Sequence, residues 1–183
     1  MAELSYGHIR ELDIDWYCLI GGVPTHIASM GGIIPKRFRD IERLRYQQDM
    51  VAKLNSMEDA VLNMEAIHRQ TEQGYEYLED ERIRNAIEVA NINNPGFAYL
   101  SNYNLPIRLY AWSFVEKARR GFRSYARLRS EEGYNEYVLI AEPSLFYLDN
   151  KRELRLELEE LNCEVIDGGH ILRFDNSYGD FFL

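Results

Sequence analysis

The stretch DIDWYCLIGGVPTHIAS, residues 13–29, constrains the fold more than any other part of the chain. Residues alternate up to Gly21-Gly22, placing Ile14, Trp16, Cys18 and Ile20 on one face and Asp13, Asp15, Tyr17 and Leu19 on the other. Two successive glycines supply the positive φ angles that a two-residue hairpin turn needs. A hairpin folded there pairs Ile20 with Val23, Cys18 with Thr25, Tyr17 with His26 and Trp16 with Ile27. Asp15 then becomes the diagonal neighbour of His26, on the face that carries Tyr17 and within reach across a strand pair. Pro24 can give no ladder donor, so the second strand is expected at an edge or with a ragged start.

Beyond the hairpin the period changes. Pro35 suits a first helical turn, and Phe38, Ile41, Leu44, Val51 and Leu54 predict a helix over 36–54. Met57, Ala60, Val61, Met64 and Ile67 predict a second over 57–73, and Ile83, Ala86, Ile87 and Ala90 a third over 79–91. The run NINNPGF at 91–97 reads as a loop. A fourth helix is expected from Asn104 and Pro106 to Gly121, where RRGF puts a glycine at the left-handed cap position, followed by an apolar Phe122. Strands are expected near 123–129 and 136–142, a charged helix over 150–161, and a second Gly-Gly hairpin in CEVIDGGHILRF, 163–174. Strands at the two ends of the chain with helices between them predict an α+β fold rather than a doubly wound α/β one. The expected arrangement is one domain over 1–183. An antiparallel sheet, built from the N- and C-terminal hairpins and a middle strand pair, is covered by about five helices, with the helical segment at about 36–120.

Charge narrows the partners. The net charge is −9, a field that opposes non-specific binding to nucleic acid or an anionic membrane and favours basic partners. Its distribution is uneven. Residues 56–81 carry Glu58, Asp59, Glu65, Glu72, Glu76, Glu79, Asp80 and Glu81 against Arg69, whereas 105–129 carry Arg108, Lys117, Arg119, Arg120, Arg123, Arg127 and Arg129 against Glu116. The two stretches either face each other in the fold or each face a partner. Basic residues interleaved with Tyr110, Trp112, Phe114, Phe122 and Tyr125 in 108–129 could hold single-stranded nucleic acid. Core packing already accounts for these aromatics, however, and nucleic acid is not expected. The polar opening MAELSYGHIRELDID is unlike a signal peptide. The uncharged run 16–35 is broken by Gly21, Gly22, Pro24, Gly31 and Gly32, so no membrane span is expected. Two cysteines, Cys18 and Cys163, have no paired spacing and fit a reducing, cytoplasmic setting.

No motif names a reaction: a P-loop, a dinucleotide glycine motif, a nucleophile elbow and zinc-spaced cysteines are all missing from the sequence. The one catalytic alternative is a cluster of Asp15, Tyr17, His26 and Ser29 beside the Gly31-Gly32 loop, since an aspartate beside a histidine can hold its tautomer for general-base work. Its competitor is the polar face of a half-buried sheet. Glu65 and His68 have the i, i+3 spacing of di-iron bundles but lack a second such pair, and Asp167 and His170 lack a third ligand. No metal or cofactor is expected.

The segments DIDWYCLIGGVPTHIASMGGIIP (13–35), KARRGFRSYARL (117–128) and YVLIAEPS (137–144) resemble a group of small, mostly uncharacterised bacterial proteins. These open with an Asp-x-Asp-Trp-aromatic strand and return through a His-x-Ala-Ser-x-Gly-Gly-like segment. The resemblance implies a cytoplasmic immunity or accessory factor of a bacterial competition system, and it brings no catalytic residues with it. The expected function is therefore a non-catalytic binding protein, an immunity protein neutralising a basic toxin. Its expected partner surface is Glu72, Tyr75, Glu76, Tyr77, Glu79, Asp80 and Glu81, with the two tyrosines as anchors.

Overall fold

The glycine hairpin forms in the expected register. The computed structural model describes residues 13–30, 34–56, 59–72, 74–128, 135–144 and 157–174. In it β1 (Asp15–Ile20) pairs antiparallel with β2 (Val23–Ala28), with Trp16 opposite Ile27, Tyr17 opposite His26 and Cys18 opposite Thr25. Gly21 and Gly22 have φ of 56° and 73°, the pair of positive angles that matches the twist of the flanking strands. Pro24 sits opposite Leu19. The N–H and C=O of Leu19 point away from β2, bonding Glu159 O and Leu161 N at 2.8 Å each. Leu19 and Pro24 thus form a non-hydrogen-bonded pair, which asks no donor of the proline.

A 3-10 turn at Lys36–Phe38 leads to α1 (Ile41–Lys53). The order then runs β3 (Ala60–Leu62), α2 (Met64–Thr71), a 3-10 turn at Glu76–Glu79, α3 (Glu81–Asn91), α4 (Pro95–Tyr99), α5 (Leu105–Arg119), β4 (Arg123–Leu128), β5 (Asn135–Pro143), β6 (Glu164–Ile166) and β7 (Ile171–Phe174). The architecture is α+β. Seven strands form one curled sheet in the order β1-β2-β4-β5-β7-β6, with β3 against the far end of β5. Every pairing is antiparallel except β2 with β4. That pair is joined through the helical segment, and a long crossover is what lets a strand return parallel. It also sets the site, because it places Ser124 opposite His26.

Three expectations change. The helix expected over 36–54 starts at Ile41, because the Asp40 carboxylate accepts the N–H groups of Glu42 and Arg43 and caps it there. The helix expected over 57–73 begins with a strand: Ala60–Leu62 pairs with β5, and the Asn63 side chain caps α2 by accepting from Ala66 N. Within the loop expected at 91–97, Asn94 caps the short α4. Most of the charged helix expected over 150–161 and the Gly31-Gly32 loop lie outside the described residues. At the described end, 158–161 is not helical and bonds along β1. By contrast, α5 ends as its sequence foretells. Gly121 has φ of 101°, its N–H reaches Ala118 O and that of Phe122 reaches Lys117 O, a Schellman cap.

Both faces of the sheet are covered. One face packs Trp16, Ile27, Tyr125, Tyr137, Leu139 and Phe174 with Phe38 of the turn before α1, all nearly solvent-free. The opposite face packs Ala28, Ala126, Ile140 and Ala141 under α2 and α5 through Ile67, Ala111, Phe114, Val115 and Ala118. The short α4 docks on α5 by close backbone approach: a Cβ on Gly96 would lie 2.4 Å from Trp112 O and 2.6 Å from the Glu116 side chain. Gly96→Ala is accordingly expected to destabilise the fold by about 1–3 kcal/mol, the usual cost of overpacking, read as a lowered midpoint in chemical unfolding. An unchanged midpoint would mean that α4 does not hold this contact in solution.

Candidate functional site

Asp15, Tyr17 and His26 come together as the hairpin register requires. The Asp15 carboxylate reaches back one position along the pair, and its Oδ1 lies 3.0 Å from His26 Nε2, close but poorly aligned for a straight hydrogen bond. The Tyr17 and His26 rings stack obliquely with centroids 5.2 Å apart. Two further residues, remote in sequence, complete the cluster. Ser124 Oγ lies 2.6 Å from His26 Nδ1, and Lys117 Nζ lies 3.3 Å from Asp15 Oδ2. The result is a continuous chain Lys117–Asp15–His26–Ser124. The imidazole thus bridges the two partners, Nε2 facing the carboxylate and Nδ1 sharing a hydrogen bond with the Ser124 hydroxyl.

Electrostatics keep Asp15 charged. Burial alone would raise its pKa, but His26 and Lys117 overcome that and hold it far below the ordinary value of 3.8. Burial and the Asp15 charge push the Tyr17 phenol well above its usual range, so Tyr17 is neutral at physiological pH.

A serine, a histidine and an aspartate in line have the composition of a hydrolase triad, but a triad must present its serine to a substrate. Ser124 has no exposed surface and His26 only 1%. Phe114 of α5 covers the imidazole at 6.1 Å. A cavity of about 290 Å³ between α1 and α5 touches Asp15, Tyr17, Glu116, Lys117 and Arg120, but neither His26 nor Ser124 lines it. The chain therefore ties β1, β2, β4 and α5 together as a buried polar network. Ser29 stands apart from that network. Its hydroxyl accepts Ile14 N–H at 2.8 Å and closes the open end of the hairpin. The expected polar face of a half-buried sheet is likewise corrected, because α1 and α5 cover it.

The metal alternatives do not grow. Glu65 pairs with Arg69 at 2.7 Å on an exposed helix face, Asp167 and His170 are an exposed pair 3.7 Å apart, and no group of three ligating residues occurs among the described residues. Cys18 and Cys163 pack against the same core as free thiols. Burial raises both, Cys163 to about 12, which keeps them protonated.

The second candidate lies on the surface. The basic stretch 108–129 does not neutralise the acidic one. Arg108 pairs with Glu88, Lys117 with Asp15, Arg120 with Glu116 and Arg123 with Glu142. Glu72, Glu76, Glu79 and Glu81 are exposed, and none has an ion-pair partner among the described residues. Asp80 caps α3 through Arg82 N. Tyr75 and Tyr77 lie side by side, with centroids 6.1 Å apart. Beyond them α3 buries none of its residues. Ile83, Ala86 and Ala90 of its apolar stripe are exposed and Ile87 is half-buried, while Val89 and Ile92 are 74% and 66% exposed.

Fold and surface together describe an α+β domain with a polar network closed at His26 and Ser124 and an open acidic-apolar helix. Compared with known proteins, the chain matches no family model, no curated protein and no solved structure. No helix among the described residues is long and apolar enough to cross a membrane.

Proposed function

We propose that this is a non-catalytic cytoplasmic binding protein that offers α3 and the acidic turn before it to a basic protein partner, an immunity protein for a basic toxin being the form that its resemblance to bacterial proteins favours. The observation that carries this reading is that α3 leaves most of its apolar stripe unburied, with only Ile87 packing on the core, and exposes Val89 and Ile92 beside unpaired carboxylates. An amphipathic helix normally gains its stability by burying such a stripe, and contiguous exposed apolar surface rimmed by charge marks an interaction site. Apolar contacts at Val89 and Ile92, neighbours three residues apart on the most exposed side of the helix, would hold the complex. Glu76, Glu79 and Glu81 would steer a cationic partner and make association fall with salt.

Affinity capture from the source organism, followed by identification of what binds, tests this. Wild-type protein is expected to retain a basic protein, less of it as salt rises. The triple variant Glu76→Lys/Glu79→Lys/Val89→Asp is expected to lose that protein while its circular dichroism and unfolding midpoint stay those of wild type. Capture of the same protein by a folded triple variant would overturn the assignment of this face.

A further inference from the structure

A second feature, outside the Asp15 network, is a cavity of about 620 Å³ where the N-terminal hairpin, α2, the turn before α3, α5 and the end of β4 meet. Its size falls within the roughly 300–1,000 Å³ of small-molecule sites. Two of its lining groups lack the partners that buried polar atoms normally find. Arg127 Nε and the Tyr110 hydroxyl are buried and make no hydrogen bond, and Arg127 has no ion-pair partner among the described residues. Arg108 Nε and Arg120 Nε are likewise unbonded, but those two residues, with Lys117 and Arg123, each have a carboxylate partner. Arg127 is half-buried with its Nε shut off from water, and a cation so placed without a counter-ion gains when an anion binds beside it.

The rest of the lining has a different character. Tyr75, Tyr77 and Met30 offer flat and polarizable apolar surface, while Arg69 and Gln70 add donors from α2. Burial, together with Tyr75 and Asp13, pushes the Tyr110 phenol well above its ordinary range. It stays protonated and can donate to an anion. Asp13 is itself engaged by Met30 N–H at 2.9 Å.

We infer that this cavity binds a small organic anion, a carboxylate or phosphate carried on a planar ring, with Arg127 and Tyr110 holding the anionic group and Tyr75 and Tyr77 flanking the ring. Guanidinium and phenol hydroxyl both match carboxylate or phosphate oxygens, and a neutral ligand would leave the arginine uncompensated. The anion-holding pair stands apart from the partner surface: Arg127 and Tyr110 lie on β4 and α5, and neither belongs to the exposed stripe of α3.

Titration calorimetry with 4-hydroxybenzoate and adenosine 5′-monophosphate, against 4-hydroxybenzamide and adenosine as neutral counterparts and inorganic phosphate as the ringless anion, tests it. At least one ring-bearing anion is expected to bind, about tenfold or more tighter than its neutral counterpart and than phosphate. The better of the two anions tells a carboxylate ligand from a phosphate one. Arg127→Met and Tyr110→Phe are each expected to weaken binding about tenfold or more. Neither should lower the unfolding midpoint, because neither residue has a side-chain hydrogen-bond or ion-pair partner among the described residues. Binding of neither anion, or binding that survives both substitutions, would overturn the site. The α3 triple variant is expected to bind the anion at least as tightly as wild type, so failure of the partner surface and failure of the cavity are told apart.

Discussion

Trp16→Ala is expected to destabilise the protein by about 3–5 kcal/mol, the range for removing a large aromatic from a closed core. Trp16 is fully buried, with Phe38 at 4.9 Å and Phe174 at 6.0 Å between ring centroids. Those rings come from the turn before α1 and from β7, so the indole joins β1 to two parts of the chain that are not its neighbours in the sheet. Its replacement by alanine leaves a void that neither part can fill without moving the other. The indole N–H has no hydrogen-bond partner, and this makes a second substitution informative. Trp16→Phe keeps most of the volume, discards an unsatisfied donor and should cost less than about 1.5 kcal/mol. Urea unfolding of the two variants checks the pair. Equal losses would mean that the indole nitrogen, and not the packing, matters.

Asp15→Asn is expected to cost about 2–4 kcal/mol, somewhat below the range for breaking a fully buried pair, because the carboxylate keeps 30% of its surface. The change leaves the Lys117 ammonium, 19% exposed, without its anion, and replaces the carboxylate beside His26 by a neutral amide. The loss depends on pH. Asp15 is ionised well below 3.8 in the folded protein, so its contribution is complete above the unfolded carboxylate value and drains away as pH falls below it. Wild type and variant should therefore differ most at neutral pH and converge in acid, as unfolding midpoints measured across that range would show. A constant difference would mean that the Asp15 charge is not what stabilises the network.

The hairpin was legible because its determinants are local: alternation and Gly21-Gly22 set a register in which a slip of one residue would reverse both faces. Asp15, Tyr17 and His26 came with it. Ser124 and Lys117 did not, because the parallel pairing that brings Ser124 to His26 spans 98 residues and no local pattern announces it. The strand Ala60–Leu62 was hidden for a similar reason. Its apolar residues fit a helical stripe, and only the free flank of β5 gives them ladder partners. The acidic stretch was legible as composition. That Glu72, Glu76, Glu79 and Glu81 stay unpaired among the described residues depended on where the arginines of 108–129 found their carboxylates, which sequence alone left open.

Whether this protein works through α3 or through the buried network can be measured directly by titrating one partner, the basic protein retained by the wild type, into two folded variants. Ser124→Ala removes only the hydroxyl on His26, and Glu76→Lys/Glu79→Lys/Val89→Asp alters only the exposed face. Full affinity in the Ser124 variant and lost affinity in the α3 variant is the expected result. The reverse pattern, with binding intact in the α3 variant and abolished by Ser124→Ala, would contradict it and return the function to the Asp15–His26–Ser124 chain.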